Sequence, residues 1–261
     1  MTVVALPQRF APTILRGMRR LPIAVLVFAM PAQPPVVAAE TSPARALIER
    51  SIAYHDPDEV WWTSVRTIEL RQPRAAGAER RTTFALFPDA SQFQLIVEES
   101  DRGTALEMHG DSCRSLEVER DFQSHVLGID CTKGRLYRDY YAYLFNLPMN
   151  LLDDAAKVEP QPFETTFLGR PVRAVRITYG EGEPRWEHYF DPATAALVGC
   201  RFTRDPESKT GEYIVYGGKI EAGGVRLPRE RAWHYNDGGS WLGTDVIESL
   251  RIEPPSAPVQ E

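Results

Sequence analysis

The sequence predicts an α+β, mainly β protein in which a curled antiparallel sheet forms a half-barrel and helices cover its concave face. Three observations lead to this prediction. Short segments of alternating apolar and polar residues follow one another from residue 60 onward, with turns rich in Pro, Gly, Asp and Ser between them. Such short links favour antiparallel neighbours, because parallel strands need long crossovers. Two segments with helical spacing interrupt the strands, at 43–55 and 135–147. An antiparallel sheet of about nine to eleven strands must curl to bury one face.

The first 39 residues have the composition of a secretory signal peptide. Arg16, Arg19 and Arg20 precede the apolar run 21–30, and small residues lead up to Ala39, after which we expect cleavage. Met1 and Met18 are alternative starts. The run is too short to cross a bilayer, which takes about 20 residues. The sequence therefore predicts a periplasmic or secreted protein with no transmembrane span after cleavage, and an uncleaved anchor is the alternative.

Composition and charge describe the remaining chain. Residues 40–252 are predicted to form a single domain, and the proline-rich residues 253–261 a disordered tail. Removal of residues 1–39, which hold four arginines and no acids, changes the formal net charge from −6 to −10. An acidic domain without a basic stripe argues against nucleic acid as a partner. The sequence predicts no particular oligomeric state.

Three cysteines lie in the part that is predicted to be exported. Cys113 and Cys131 are close in the sequence, in segments that could pair as neighbouring strands, and an oxidising compartment permits a disulfide between them. Two free thiols are the alternative. Cys200 shares one face of a strand with Val198 and Phe202, which favours a small buried apolar side chain over a reactive thiol.

The two helical segments have different patterns. Ser42 can cap the first helix, Pro43 suits its first position, and Asp56 followed by proline ends it. The second segment, 135–147, has apolar residues around most of its circumference, and Pro148 ends it. A helix of this kind is largely buried, so we expect it to plug the concavity of the sheet.

The order of elements and several sequence phrases resemble a known group of proteins. The phrases YYAYLFNLPMNLLDD (140–154), WEHYFDPATAALVGCRF (186–202), GEYIVYGG (211–218) and WLGTD (241–245) resemble an uncharacterised family of exported bacterial proteins related to the lipoprotein carriers LolA and LolB. The resemblance covers roughly residues 44–250 and has no catalytic motif. It implies the half-barrel fold and binding of a lipid or a lipoprotein acyl chain in the cavity, by analogy of fold alone.

Aromatic residues are the candidates for contact with such a ligand, because a cavity between a curved sheet and a helical lid would be lined by them. Aromatic stripes that simply form core are the alternative. The predicted ligand-binding residues are Trp61, Tyr137, Tyr140, Tyr141, Tyr143, Phe145, Trp186, His188 and Trp233.

No catalytic residue, metal ligand or cofactor is predicted, since the chain has no nucleophile elbow, phosphate loop, H-E-x-x-H or C-x-x-C motif. One alternative function is a periplasmic hydrolase that uses Glu212 with His188 or His234. Glu212 and Asp245 could form a carboxylate pair for glycoside hydrolysis, but nothing in their spacing requires it. Another alternative is a structural or partner-binding envelope protein whose core is filled.

Overall fold

The structure, a computed structural model, describes residues 41–100, 102–115, 130–204 and 210–255. The described helices are α1 (Pro43–His55) and α2 (Cys131–Phe145), and a 3₁₀ turn spans Trp61–Thr63. The strands are β1 (Val65–Gln72), β2 (Arg80–Leu86), β3 (Gln92–Glu99), β4 (Arg102–His109), β5 (Ser112–Ser115), β6 (Lys157–Val158), β7 (Phe163–Phe167), β8 (Arg170–Thr178), β9 (Arg185–Phe190), β10 (Leu197–Thr203), β11 (Gly211–Gly217), β12 (Ile220–Ala222), β13 (Val225–Leu227), β14 (Glu230–Tyr235) and β15 (Trp241–Glu253). The predicted signal peptide and residues 256–261 of the predicted tail lie outside the described residues.

Thirteen of these strands form one antiparallel sheet in the order β5-β4-β3-β2-β1-β15-β14-β11-β10-β9-β8-β6, with β7 also paired to β8. The remaining two, β12 and β13, form a separate hairpin. Because β5 and β6 end this order and do not pair in the described part of the chain, the sheet is not closed into a barrel. The predicted fold class is confirmed. The strand number exceeds the prediction because β5, β6, β12 and β13 are very short.

Strand β15 joins the two halves of the sheet. Ile68 of β1 pairs with Leu250, and Trp233 of β14 pairs with Gly243, so the last strand lies between the first strand and the C-terminal meander. Alternation along each strand then gives the sheet two faces. We call the face that packs on α1 and α2 the inner face, which contains the main core, and its opposite the outer face. The outer face has a smaller apolar cluster that includes Phe167 and Tyr213.

Helix α1 has the predicted bounds. The Ser42 hydroxyl accepts a hydrogen bond from the Arg45 amide at 3.3 Å, and Pro43 occupies the first turn. The helix ends at His55, and Asp56, the residue before a proline, leaves the helical conformation. Leu47 and Ile48 are buried in the main core.

Helix α2 begins four residues earlier than predicted and ends at Phe145 rather than 147. The carboxylate of Asp130 caps it by accepting a hydrogen bond from the Lys133 amide at 2.9 Å. Gly134 lets the helix approach β4 closely, because a Cβ atom there would lie 2.7 Å from the Leu106 Cδ1 atom. No helix in the described part of the chain is long and apolar enough to cross a membrane.

A disulfide joins Cys113 of β5 to Cys131, the first residue of α2. The bond that the sequence left open is therefore present in the structure. The expected setting was wrong, since Cys131 opens a helix instead of lying on a strand next to Cys113. The bridge ties the N-terminal end of α2 to the edge of the sheet.

Removal of this disulfide by the paired substitutions Cys113→Ser and Cys131→Ser is expected to lower the free energy of unfolding by about 3 kcal/mol. The reason is that the bond closes a loop with a sequence separation of 18 and so restricts the unfolded chain. Urea denaturation measures the change, and the wild-type protein in reductant should match the double variant. An unchanged urea midpoint would contradict the prediction.

Candidate functional site

Helix α2 lies against the inner face and fills it with aromatic rings. Tyr141 and Phe145 are both 0% exposed. The ring of Tyr141 stacks on Phe84 of β2 with the ring centres 4.5 Å apart, and Phe145 meets the same ring edge-on at 5.0 Å. The space between helix and sheet is therefore occupied by side chains of the protein itself.

The predicted ligand-binding residues on the first part of α2 meet the strands β2 and β14. Tyr140 stacks on Trp233 at 5.9 Å, and Tyr137 stacks on Tyr141 at the same distance. The Tyr137 hydroxyl also accepts a hydrogen bond from the Arg80 guanidinium at 2.9 Å. One flank of the helix thus combines ring stacking with a charged partner on the sheet.

The other flank of α2 meets strand β9. Tyr143 lies 5.0 Å from Trp186, whose ring stacks on His188 at 5.9 Å. Trp61 lies at the end of the helix, where its indole N–H donates to the Asn146 side-chain oxygen at 2.9 Å. Eight of the nine predicted residues therefore lie along the contact between α2 and the inner face, and His188 lies beside it, next to Trp186. Their role in ligand binding stays a prediction.

A buried polar network lies beneath the first flank. One carboxylate oxygen of Asp245 accepts from the Gln72 amide at 2.6 Å, and the other accepts from the Trp233 indole N–H at 3.0 Å. The Gln72 side-chain oxygen accepts in turn from Arg80 Nε at 2.9 Å. Asp245, Gln72 and Arg80 are all buried. Arg80 therefore donates hydrogen bonds to two neutral partners, Tyr137 and Gln72, and Gln72 connects it to the carboxylate of Asp245.

Two further polar side chains on the inner face lack a full set of partners. Arg231 is 1% exposed, its Nη1 atom donates to the Pro228 carbonyl at 3.0 Å, and its Nε atom has no hydrogen-bond partner. Its guanidinium carbon lies 4.0 Å from the centre of the Phe145 ring. Neither ring nitrogen of the buried His188 has a partner, and burial lowers the pKa of His188 to about 3. Such groups are rare in a permanent core.

The strand register explains why these groups lie in one row. His188 pairs with Cys200, Tyr216 pairs with Arg231, and Arg231 pairs with Asp245. Cross-strand partners point to the same face of a sheet, so the five side chains form a polar row across the inner face. The Cys200 thiol lies 3.4 Å from the Tyr216 hydroxyl. Burial raises the pKa of the Cys200 thiol to about 12. Cys200 is therefore a buried neutral thiol, as the sequence predicted.

Sequence reasoning missed Gln72, Arg80 and Arg231. A usable signal is present for all three, because each lies in phase with the apolar positions of its strand. Arg231 lies two residues from Trp233 on the same face of β14, and Arg80 lies four residues from Phe84 on the same face of β2. A polar residue in phase with a buried face is the pattern that marks such a group before the fold is known.

The residues of the hydrolase alternative are not brought together. His234 stacks on Tyr213 of the outer face at 4.9 Å, and its Nδ1 atom lies 3.0 Å from the Gly239 carbonyl oxygen. Glu212 points to the inner face, but it lies two strands away from His188 and two residues along, which is roughly 12 Å at ordinary strand geometry. Burial raises the pKa of Glu212, and no hydrogen bond joins it to either histidine within the described residues.

A small cleft opens where the end of α1 meets the start of β10 and the end of β11. Its volume is about 180 Å³, and its lining includes Tyr54, His55, Tyr216 and Pro228. Three cations, Arg170, Lys219 and Arg226, also line it, and the described lining contains no acidic side chain.

His55 lines this cleft and connects α1 to β10 and β13. Its Nδ1 atom donates to the Arg226 carbonyl at 2.5 Å, and its Nε2 atom accepts from the Leu197 amide at 3.0 Å. Burial, together with the positive charges of Arg226 and Arg231, lowers the pKa of His55 to about 4. The neutral ring is therefore a structural link at neutral pH.

The chain matches a family model described as "Family of unknown function (DUF6503)" over residues 26–249. No curated protein matches the chain. Among solved structures, it is similar to a LolA superfamily protein from Nitrosomonas europaea, with 11% identity, a TM-score of 0.50 and coverage of 82% of this chain and 94% of that one. It also matches a DUF1329 family protein from Desulfovibrio piger, with 12% identity, a TM-score of 0.43 and coverage of 83% and 96%. The resemblance predicted from the sequence is confirmed, and at these identities the structural likeness shows the fold alone.

Proposed function

We propose that this chain, a member of the family of unknown function DUF6503, is an exported protein. It binds a hydrophobic ligand between helix α2 and the inner face of its sheet. The ligand would be a lipid or the acyl chain of a lipoprotein. The observation that carries the proposal is the contact between α2 and the sheet. This contact consists of stacked rings and of buried polar groups that lack hydrogen-bond partners. Such groups are rare in a permanent core, so the composition favours a contact that can open.

The way in which α2 is attached supports this reading. The disulfide to Cys113 holds its first residue at the sheet edge, so the rest of the helix can move away without leaving the protein. An acyl chain that replaces the rings of Tyr141 and Phe145 would gain about 0.8 kcal/mol for each methylene that it buries. A chain of twelve or more carbons would therefore supply roughly 10 kcal/mol toward the displacement of the helix.

Export is supported by two features of the chain. Disulfides persist in oxidising compartments, and this chain contains one between Cys113 and Cys131. The predicted signal peptide at residues 1–39 would direct the protein to such a compartment.

Native mass spectrometry tests the function on protein that is purified after expression of the full chain in a bacterial host. We expect a lipid adduct of fixed stoichiometry that organic extraction removes. Tryptophan emission supplies a second readout, since Trp186 and Trp233 contact α2 whereas Trp241 is exposed. The emission change on lipid addition should weaken in Trp233→Phe and persist in Trp241→Phe. A mass free of adduct, unchanged after incubation with lipid, would refute the proposal.

A filled inner face favours a second candidate, an envelope protein that binds a protein partner through its surface. Tyr141 and Phe145 leave no part of their rings exposed. The described residues also include exposed large apolar side chains, among them Trp62, Leu168 and Trp241. The mass-spectrometric outcome without lipid would support this candidate.

A further inference from the structure

We infer that the ligand of this site is an anionic amphiphile, and that Arg231 binds its acidic headgroup, a carboxylate or a phosphate. The inference rests on the proposed function of the inner face and names the chemical class of its ligand. Three observations carry it: the unmatched charge of Arg231, the charge balance around it, and its position between the aromatic contact and the cationic cleft.

The guanidinium of Arg231 is buried without an anion. One of its nitrogens donates to the Pro228 carbonyl, and Nε has no partner. No carboxylate of a described residue forms an ion pair with it, and the Phe145 ring at 4.0 Å takes the position that an anion would take. A buried charge is costly unless it is paired, so an apolar residue at this position would give a more stable filled core. An arginine here is therefore suited to a state in which an anion is bound.

The nearest acid does not supply that anion. Asp245 is the cross-strand neighbour of Arg231, and its negative charge opposes the lowering of the guanidinium pKa by burial. Both of its oxygens, however, accept hydrogen bonds from Gln72 and Trp233, and neither bonds to Arg231. Glu212 points to the same face but lies four residues along β11 from Tyr216, the partner of Arg231, which is roughly 13 Å. Among the described residues around the polar row, two buried cations, Arg80 and Arg231, thus face one buried carboxylate, that of Asp245.

Arg231 lies between the two places where the parts of an amphiphile would fit. Its guanidinium packs on Phe145 of α2, next to the rings that an acyl chain would replace. Pro228 and Tyr216 both contact Arg231 and line the cleft, so Arg231 lies behind this part of the lining and is not itself part of it. The cations that line this cleft form their ion pairs with acids outside it, Glu221 and Asp191. A headgroup in the cleft would therefore meet positive charge, with its chain directed toward α2.

A matched set of twelve-carbon ligands tests the inference on the protein expressed from the full chain. Binding of dodecanoate, dodecyl phosphate and dodecanol is measured by tryptophan emission below the micellar range. We expect wild-type protein to bind at least one of the two acids about tenfold or more tightly than the alcohol, because a hydrogen bond to a charged partner is among the stronger ones. The ratio between the two acids separates a carboxylate from a phosphate headgroup.

Substitutions locate the effect. Arg231→Met should bind all three ligands with similar affinity and keep the wild-type affinity for dodecanol, while Arg231→Lys should retain part of the preference. Arg81→Met removes an exposed arginine of β2 and serves as the matched control with the wild-type preference. Methionine in place of a buried ion is often neutral or stabilising, so the variant should fold.

Each contrary result has a separate meaning. Equal affinity of the wild type for acid and alcohol would overturn the inference and leave the proposed function in place. A preference that survives in Arg231→Met would overturn the assignment to Arg231. Absence of binding for all three ligands would remove the proposed function together with the inference.

Discussion

Replacement of Tyr141 by alanine is expected to lower the free energy of unfolding by about 3–5 kcal/mol, as large aromatic truncations in a core do. The ring has no exposed surface and lies between Phe84, at 4.5 Å, and the rings of Tyr137 and Phe145, both at 5.9 Å. Alanine would leave a cavity in the centre of the contact between α2 and the sheet. Urea denaturation followed by circular dichroism measures the loss.

Two further substitutions show whether the ring is the cause. Tyr141→Phe keeps the ring and removes the hydroxyl, so its cost should stay within about 1.5 kcal/mol. Tyr235→Ala removes a tyrosine that is 48% exposed and should cost less than Tyr141→Ala by several-fold. If Tyr141→Ala had the stability of the wild type, α2 would not be packed on the sheet in solution, and the closed arrangement described above would be wrong.

Local signals predicted the first helix and most of the strands because the physical causes are local. The cap at Ser42 and the turn at Asp56 act over three or four residues, and α1 has the bounds that they predict. Alternation predicts strands because one face of the sheet is buried along its length. The start of α2 was missed because residues 132–134 do not continue the apolar stripe. The cap at Asp130 and the disulfide at Cys131 set that start instead.

Contacts between distant residues lay beyond the reach of the sequence. The pairing of Ile68 with Leu250 brings the first and last strands together, and no local pattern encodes it. The aromatic part of the site was predictable because α2 shows its rings as a stripe. The burial of Arg231 has a local signal in its phase with Trp233, but its contact with Phe145 has none, since that contact joins residues that are far apart in the sequence.

Acid is expected to destabilise the protein through two buried histidines. The pKa of His188 falls from 6.5 to about 3 on folding, and that of His55 falls to about 4, chiefly because burial disfavours the charged ring. The unfolded chain therefore binds these protons first as the pH falls. The unfolding free energy should be constant above about pH 7 and should decrease below pH 6.5. The decrease reaches up to about 1.4 kcal/mol per pH unit for each histidine.

His188 accounts for the larger share of this loss, about 5 kcal/mol by pH 3. Substitution by leucine should remove that share and roughly halve the slope between pH 6 and 4, since His55 remains. At pH 7 His188→Leu should be at least as stable as the wild type, because two buried nitrogens without partners are replaced by an apolar side chain. Urea denaturation at half-unit steps of pH measures the slopes, and His109→Gln, at an exposed histidine, is the matched control.

The same measurement reports on the mobility of α2. If water does not reach the His188 ring between Trp186 and the strand of Cys200, the unfolding free energy must show the full dependence on pH. The reason is that nothing solvates the charged form of the ring. If wild type and His188→Leu gave parallel curves from pH 7 to 4, water would reach His188 in the folded protein. That result would mean that the packing over this part of the inner face, which includes the contact of Trp186 with Tyr143 of α2, opens without a ligand. The closed structure would then be one state of an equilibrium, and a ligand would bind by selecting the other state.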